Sequence, residues 1–226
     1  MLKAIIFDVY GTLISTGTGS VEAAGKILAL NGRQDVSPAD FYAQWKRLHR
    51  QHIDGLEDFL TEEAIFHMDL CALYARYGMK RDAHEDVSIM LDTLGCRTAF
   101  PEVKEVLAQL SQRVEIAIGS TTDTKPLLQD LQRNQLPIEK VFTSESMRVY
   151  KPRPAFYETI LCSLKINANE AMFVGDSLLD DIWGPQQVGL QTCWINRKGN
   201  KAAEIQPRFE MRDLRPLVDI VESEKY

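Results

Sequence analysis

The feature that most constrains this chain is a long gap between its first two strands. A short apolar run, Leu2-Lys3-Ala4-Ile5-Ile6-Phe7, reads as a strand, and the next comparable run does not begin until Val114. From there apolar runs recur at 114–119, 139–143, 170–174 and 190–195. Each is short and nearly continuous, as strands buried on both faces of a parallel sheet must be. Helical patterns lie between most of them, starting at Pro101, following Asp123, and running from Pro154 to Leu164. This alternation predicts an α/β fold built on a doubly wound parallel sheet. Residues 16–96 break the rhythm with helical periodicity alone, in segments near 19–31, 38–52, 57–78 and 82–94. Gly32, Pro38, Gly55 and Gly78 punctuate them. The expected organisation is a core domain of residues 1–15 and 97–226 with a four-helix domain, 16–96, inserted after the first strand. Residues 199–212 read as polar and irregular, before a short helix near 213–223.

Length and charge narrow the function classes. A chain of 226 residues, 45% hydrophobic, can build one good core and a smaller insert. A net charge of −6 argues against a nucleic-acid partner, since phosphate backbones attract basic surfaces. No apolar run approaches the roughly 20 residues of a membrane span, and no signal-peptide pattern opens the chain. The expectation is an intact cytoplasmic protein with a small-molecule substrate. Homodimer formation stays open. Cys71, Cys96, Cys162 and Cys193 form no C-x-x-C pair and read as reduced, mostly buried thiols. His49 and His52 share a helical face, but no carboxylate partner for a metal pair is evident, so they read as a solvated helix surface.

In open parallel sheets, ligands bind at the carboxyl ends of the strands. After the first strand come Asp8, Tyr10 and Thr12; after the second, Ser120, Thr121 and Thr122. Beyond the third lies Lys151, and after the fourth come Gly175, Asp176, Ser177, Asp180 and Asp181. Each has an incidental explanation alone: a loop cap, a helix N-cap, an exposed charge, or acids complementing a helix dipole. Four such groups of complementary chemistry, all at strand ends, point instead to one site. Other catalytic patterns fail. The stretch GTGSVEAAGKI lacks phosphate-loop spacing, no G-x-S-x-G elbow exists, and no cysteine pairs with a histidine in this set. A carboxylate nucleophile remains.

These residues resemble the four motifs of the haloacid dehalogenase superfamily, in its branch of 2-haloacid dehalogenase-like and phosphoglycolate phosphatase-like proteins with a helical cap. They are Asp8-Val9-Tyr10-Gly11-Thr12, the strand-end Ser120, Lys151 in Val149-Tyr150-Lys151-Pro152, and Asp176 with Asp181 in GDSLLDD. The resemblance implies a Rossmann-like core and a hydrolase whose catalytic set is Asp8, Tyr10, Thr12, Ser120, Thr121 and Lys151. Asp8 would form a covalent aspartyl intermediate that water opens. Ser120 and Lys151 would hold the substrate's anionic oxygens. Mg²⁺ would be held by Asp8, Asp176, Asp181 and the backbone carbonyl of Tyr10.

Tyr10 divides the readings. The superfamily's phosphatases place an aspartate there as general acid, whereas 2-haloacid dehalogenases carry Tyr, since a halide leaves without a proton. The segment Thr192–Asn200 and Tyr157 also resemble those dehalogenases. Against this, Gly175-Asp176-Ser177 is the phosphatase form, where dehalogenases commonly carry a Ser-Ser-Asn run and use no metal. Trp45 is followed by Lys46 and Arg47, where dehalogenases place an arginine to grip the substrate carboxylate. Lysine lacks the bidentate fork, and Arg47 projects about 100° further round the helix. Two unit charges about 4 Å apart repel by about 4 kcal/mol at an effective dielectric near 20. Three carboxylates and one lysine therefore call for a divalent cation. The expectation is a Mg²⁺-dependent phosphatase acting on a small phosphorylated metabolite. The alternatives are a metal-independent 2-haloacid dehalogenase and a catalytically weak, binding-only relative. Lys46 and Arg47 are candidate substrate-binding residues, with a solvated helix face as the other reading.

Overall fold

The protein is described here as a computed structural model covering residues 1–201 and 204–223. Six strands form one parallel sheet: β1 Ala4–Phe7, β2 Glu115–Ser120, β3 Lys140–Thr143, β4 Ala171–Gly175, β5 Gln191–Ile195 and β6 Phe209–Met211. Their order is β3-β2-β1-β4-β5-β6. β1 pairs with both β2 and β4, so the chain reverses direction across the sheet beside β1. That reversal opens a crevice at the carboxyl ends of β1 and β4.

The continuous apolar runs follow from burial on both faces. Ile5 and Phe7 enter one core with Val106, Leu110 and Leu217, while Ala4 and Ile6 enter the other with Phe156, Ile160 and Phe173. The side chains still alternate, but neither face meets water. The predicted strands match β1 to β5 in order and position. β6 lies inside the segment expected to be irregular. It is three residues long on the sheet edge and exposes Glu210, so it is too short to carry a readable alternation.

The insert contains α1 Gly19–Leu30, α2 Pro38–Asp54, α3 Glu62–Tyr77 and α4 Ala83–Leu91, which pack around their own apolar cluster. Ser37 caps α2, with Pro38 pre-set for the first turn, and Thr61 caps α3. Gly78, at φ 64°, ends α3 in the left-handed conformation. The core helices are α5 Val103–Leu110, α6 Thr124–Arg133, α7 Ser144–Met147, α8 Pro154–Leu164, α9 Gly184–Gln186 and α10 Pro216–Ser223. Among the described residues, no helix is long and apolar enough to cross a membrane.

The cysteines depart from expectation. Cys193 is buried in β5, but Cys71, Cys96 and Cys162 are exposed. Cys71 and Cys162 sit on the outward faces of α3 and α8, while Cys96 lies in the linker after the insert.

Candidate active site

The strand ends bring Asp8, Asp176 and Asp181 together. Each offers one carboxylate oxygen, and these atoms lie within 4.8 Å of one another. Asp8 follows β1, and its N–H donates to the Val174 carbonyl at 2.8 Å, so β4 fixes its place. Asp176 follows β4, and the Trp194 indole of β5 donates to its carbonyl oxygen at 2.9 Å. Asp181 lies in a π-helical turn, Leu178–Trp183, where the Ser177 N–H donates to its Oδ2 at 2.9 Å. Two glycines permit this crowding. A Cβ on Gly11 would strike the Asp176 carboxylate, and one on Gly175 would strike the Asp181 side chain.

Lys151 is 1% exposed and bridges the set, donating to Asp8 Oδ1 at 2.9 Å and to Asp181 Oδ1 at 2.8 Å. Burial alone would lower its ammonium pKa, but the carboxylates of Asp181 and Asp8 overcome this and raise it. For Asp176 and Asp181 burial outweighs the neighbouring charge of Lys151. Asp176 faces the cleft, yet loss of bulk water, followed by the charge of Asp8, raises its carboxyl. Burial raises Asp181 further than Lys151 can lower it. The site therefore holds more negative charge than its lysine balances. An all-oxygen donor set with surplus negative charge fits a hard divalent cation such as Mg²⁺. Asp180 is not part of this set. Its carboxylate takes a bidentate contact from the Arg50 guanidinium, at 2.9 and 3.1 Å.

These groups open into a cavity of about 360 Å³ between core and insert. Ser120 and Thr121 line it at the end of β2, and Thr12 lies behind, donating to Asp8 Oδ2 at 3.3 Å. Tyr10 also lines it, but its hydroxyl donates to Asp130 Oδ2 of α6 at 2.8 Å. Asp130 Oδ1 accepts the Arg97 N–H at 2.8 Å, and the Arg97 guanidinium lies 4.6 Å from the Tyr10 ring centre. Burial, then Asp130, raises the phenol's pKa, so its proton is held on a hydrogen bond to the carboxylate.

From the insert, Lys46 lines the cavity and Arg47 does not. Arg47 is exposed, because the next residue on a helix turns away from a shared face. His49 and His52 also depart from expectation. Their Nδ1 atoms meet the two oxygens of Asp69 at 2.8 and 2.6 Å, and the Trp45 indole donates to Asp69 Oδ2 at 3.0 Å. The carboxylate partner missing from the sequence reading is on α3. It was detectable as an acid on the buried stripe Ile65, Asp69, Leu70 and Leu73. Glu62 and Arg97, which also line the cavity, carried no such signal, since first-turn acids and linker arginines are common on surfaces.

The family described as a haloacid dehalogenase-like hydrolase matches residues 2–189. The ribulose-1,5-bisphosphate 5-phosphatase of Halopiger xanaduensis is 38% identical over 207 residues, covering 85% of this chain and 84% of that protein. The (S)-2-haloacid dehalogenase 4A of Burkholderia cepacia is 28% identical over 231 residues, covering 96% and 91%. Among solved structures, the HAD-hydrolase YfnB of Bacillus subtilis, bound to magnesium, superposes with a TM-score of 0.83 at 22% identity, covering 98% of this chain and 99% of that one.

Proposed function

The chain belongs to the haloacid dehalogenase-like hydrolases, and from that premise we propose that it is a Mg²⁺-dependent phosphatase of a small phosphorylated metabolite. The observation that carries this reading is Asp176, drawn within 4.8 Å of both Asp8 and Asp181. A third carboxylate beside one lysine makes sense where a cation is bound. A phosphatase at 38% identity and a magnesium-bound protein of the same fold support it.

Asp8 attacks phosphorus, and Lys151, donating to its Oδ1 at 2.9 Å, fixes its orientation. Ser120, Thr121 and Lys151 receive the phosphoryl oxygens. Asp8, Asp176, Asp181 and the Tyr10 carbonyl would hold Mg²⁺, which when bound supplies charge neutralisation to the phosphoryl group. The helical insert would act as a cap, with Lys46 as a substrate contact.

Tyr10 favours a second reading, a 2-haloacid dehalogenase, as in the relative from Burkholderia cepacia. Turnover of an aryl phosphate with Mg²⁺ and with chelator decides between them, since this leaving group needs little protonation. The expected result is Mg²⁺-dependent hydrolysis that disappears in Asp8→Asn. Metal-independent chloride release from 2-chloropropionate, with no phosphate released, would replace this reading with the second.

A further inference from the structure

Phosphoryl transfer to Asp8 leaves an alkoxide wherever the substrate is an ordinary phosphate ester, and Tyr10 is badly placed to protonate it. Its single hydroxyl proton is already donated to Asp130 Oδ2 at 2.8 Å. The proton must come from another group in the cavity that contains Asp8. We propose that Glu62, on the first turn of α3, is the general acid of this enzyme. The inference rests on the phosphatase reading above.

Three features place it. First, Glu62 lines the same cavity as Asp8, Ser120 and Lys151. Second, its backbone is docked on the core. The N–H groups of Glu62 and Glu63 donate to the two oxygens of Asp123 at 2.9 and 3.1 Å, so the start of α3 is tied to the loop that follows Ser120. Third, its side chain is oriented by that loop. Thr122 donates its hydroxyl to Glu62 Oε2 at 2.9 Å, which leaves Oε1 as the oxygen that can carry a proton. Thr122 stands two residues beyond Ser120, so the carboxyl is held beside the phosphoryl-binding loop. Burial raises the pKa of this carboxyl, against the lowering by His49 and by the Thr122 bond. Charged and titratable groups nearby are His49 of α2, Asp123, Arg97, Tyr10 and Tyr150.

In the first half-reaction an Asp8 oxygen bonds to phosphorus as the bond from phosphorus to the leaving oxygen breaks. The Glu62 proton passes to that oxygen, releasing a neutral alcohol and leaving a Glu62 carboxylate. In the second, water attacks the aspartyl phosphate and gives its proton to Glu62. Phosphate leaves, and Asp8 and Glu62 return to their starting forms. Acid catalysis from the insert lets the substrate group that contacts the insert also determine its own protonation.

The test compares wild type and Glu62→Gln on phosphate monoesters of graded leaving-group acidity, from nitrophenyl phosphate to a simple alkyl phosphate, with Mg²⁺ present. Glutamine keeps the acceptor for Thr122 and removes the proton, and a thermal melt checks folding. The expected result is a kcat on the alkyl ester lower by about 10²–10⁴, with the nitrophenyl ester changed only a few-fold. Dependence of rate on leaving-group pKa should steepen accordingly. Equal losses on both esters, or no loss on either, overturn the assignment while leaving the phosphatase reading intact. A folded wild type that hydrolyses neither ester overturns both.

Discussion

Lys151 is buried between two carboxylates, and a third lies within reach of both. At the scale of single residues, this ties stability to pH. Burial, then Asp8, raises Asp176 to about 7; burial, opposed by Lys151, raises Asp181 to about 8; the usual value is 3.8. A carboxyl raised in the folded state stabilises the fold below its unfolded pKa, and that contribution is lost as pH rises through the folded value. Metal-free protein should therefore lose thermal stability between about pH 4 and pH 8. On the phosphatase reading Mg²⁺ would bind the ionised carboxylates, so it should raise the Tm more at about pH 8 than at about pH 5. Calorimetry with chelator and with Mg²⁺ checks both statements. A metal-free Tm that is flat across this range would count against the charge surplus.

At the scale of elements, α2 and α3 are joined through a buried polar cluster on their shared face. Asp69 is fully buried and accepts from the Trp45 indole while meeting His49 and His52. Around it pack the Trp45 and Phe66 rings, 5.8 Å apart edge to face, with His49 4.9 Å from Phe66. Removing the acceptor strands buried donors, at about 1–3 kcal/mol for each group left unpaired. Asp69→Ala should cost about 3 kcal/mol in urea denaturation, and Asp69→Asn, which keeps one carbonyl acceptor, clearly less. Equal stability of Asp69→Ala and wild type would mean that the histidines and Trp45 find water instead.

At the scale of the whole molecule, insert and core meet, among the described residues, through polar contacts and a small apolar cluster of Ile53, Ile65 and Tyr150, against which Leu56, Phe59 and Leu60 pack. Arg50 carries the bidentate contact to Asp180, and the Tyr150 hydroxyl donates to the Leu60 carbonyl at 3.1 Å. Arg50 is partly exposed, so water and salt discount the pair to about 1 kcal/mol. Arg50→Met should leave the Tm within a few degrees but raise KM several-fold, because Arg50 and Asp180 both line the cavity. Steady-state kinetics at low and high salt measure this. An unchanged KM with a lowered Tm would make the pair a structural contact only.

The strands and the acids gathered at their ends were legible because their signals are local. Five strands announce themselves by continuous apolar runs; Asp8 and Asp176 each follow one directly, and Ser120 ends β2. Parallel pairing then gathers strand ends at one edge whatever fills the gaps between them. Helical periodicity likewise revealed the insert, since each helix must bury a stripe. The partners that cross from insert to core were not legible. Arg50 on Asp180 and Glu62 on Thr122 join residues separated by 130 and 60 positions. Which polar side chain meets which depends on how two preformed bodies dock, and that is determined by the shape of both surfaces together. The sequence alone therefore determined the sheet, the helical insert and the acids at the strand ends, while tertiary packing decided which groups of the insert share the cavity of Asp8.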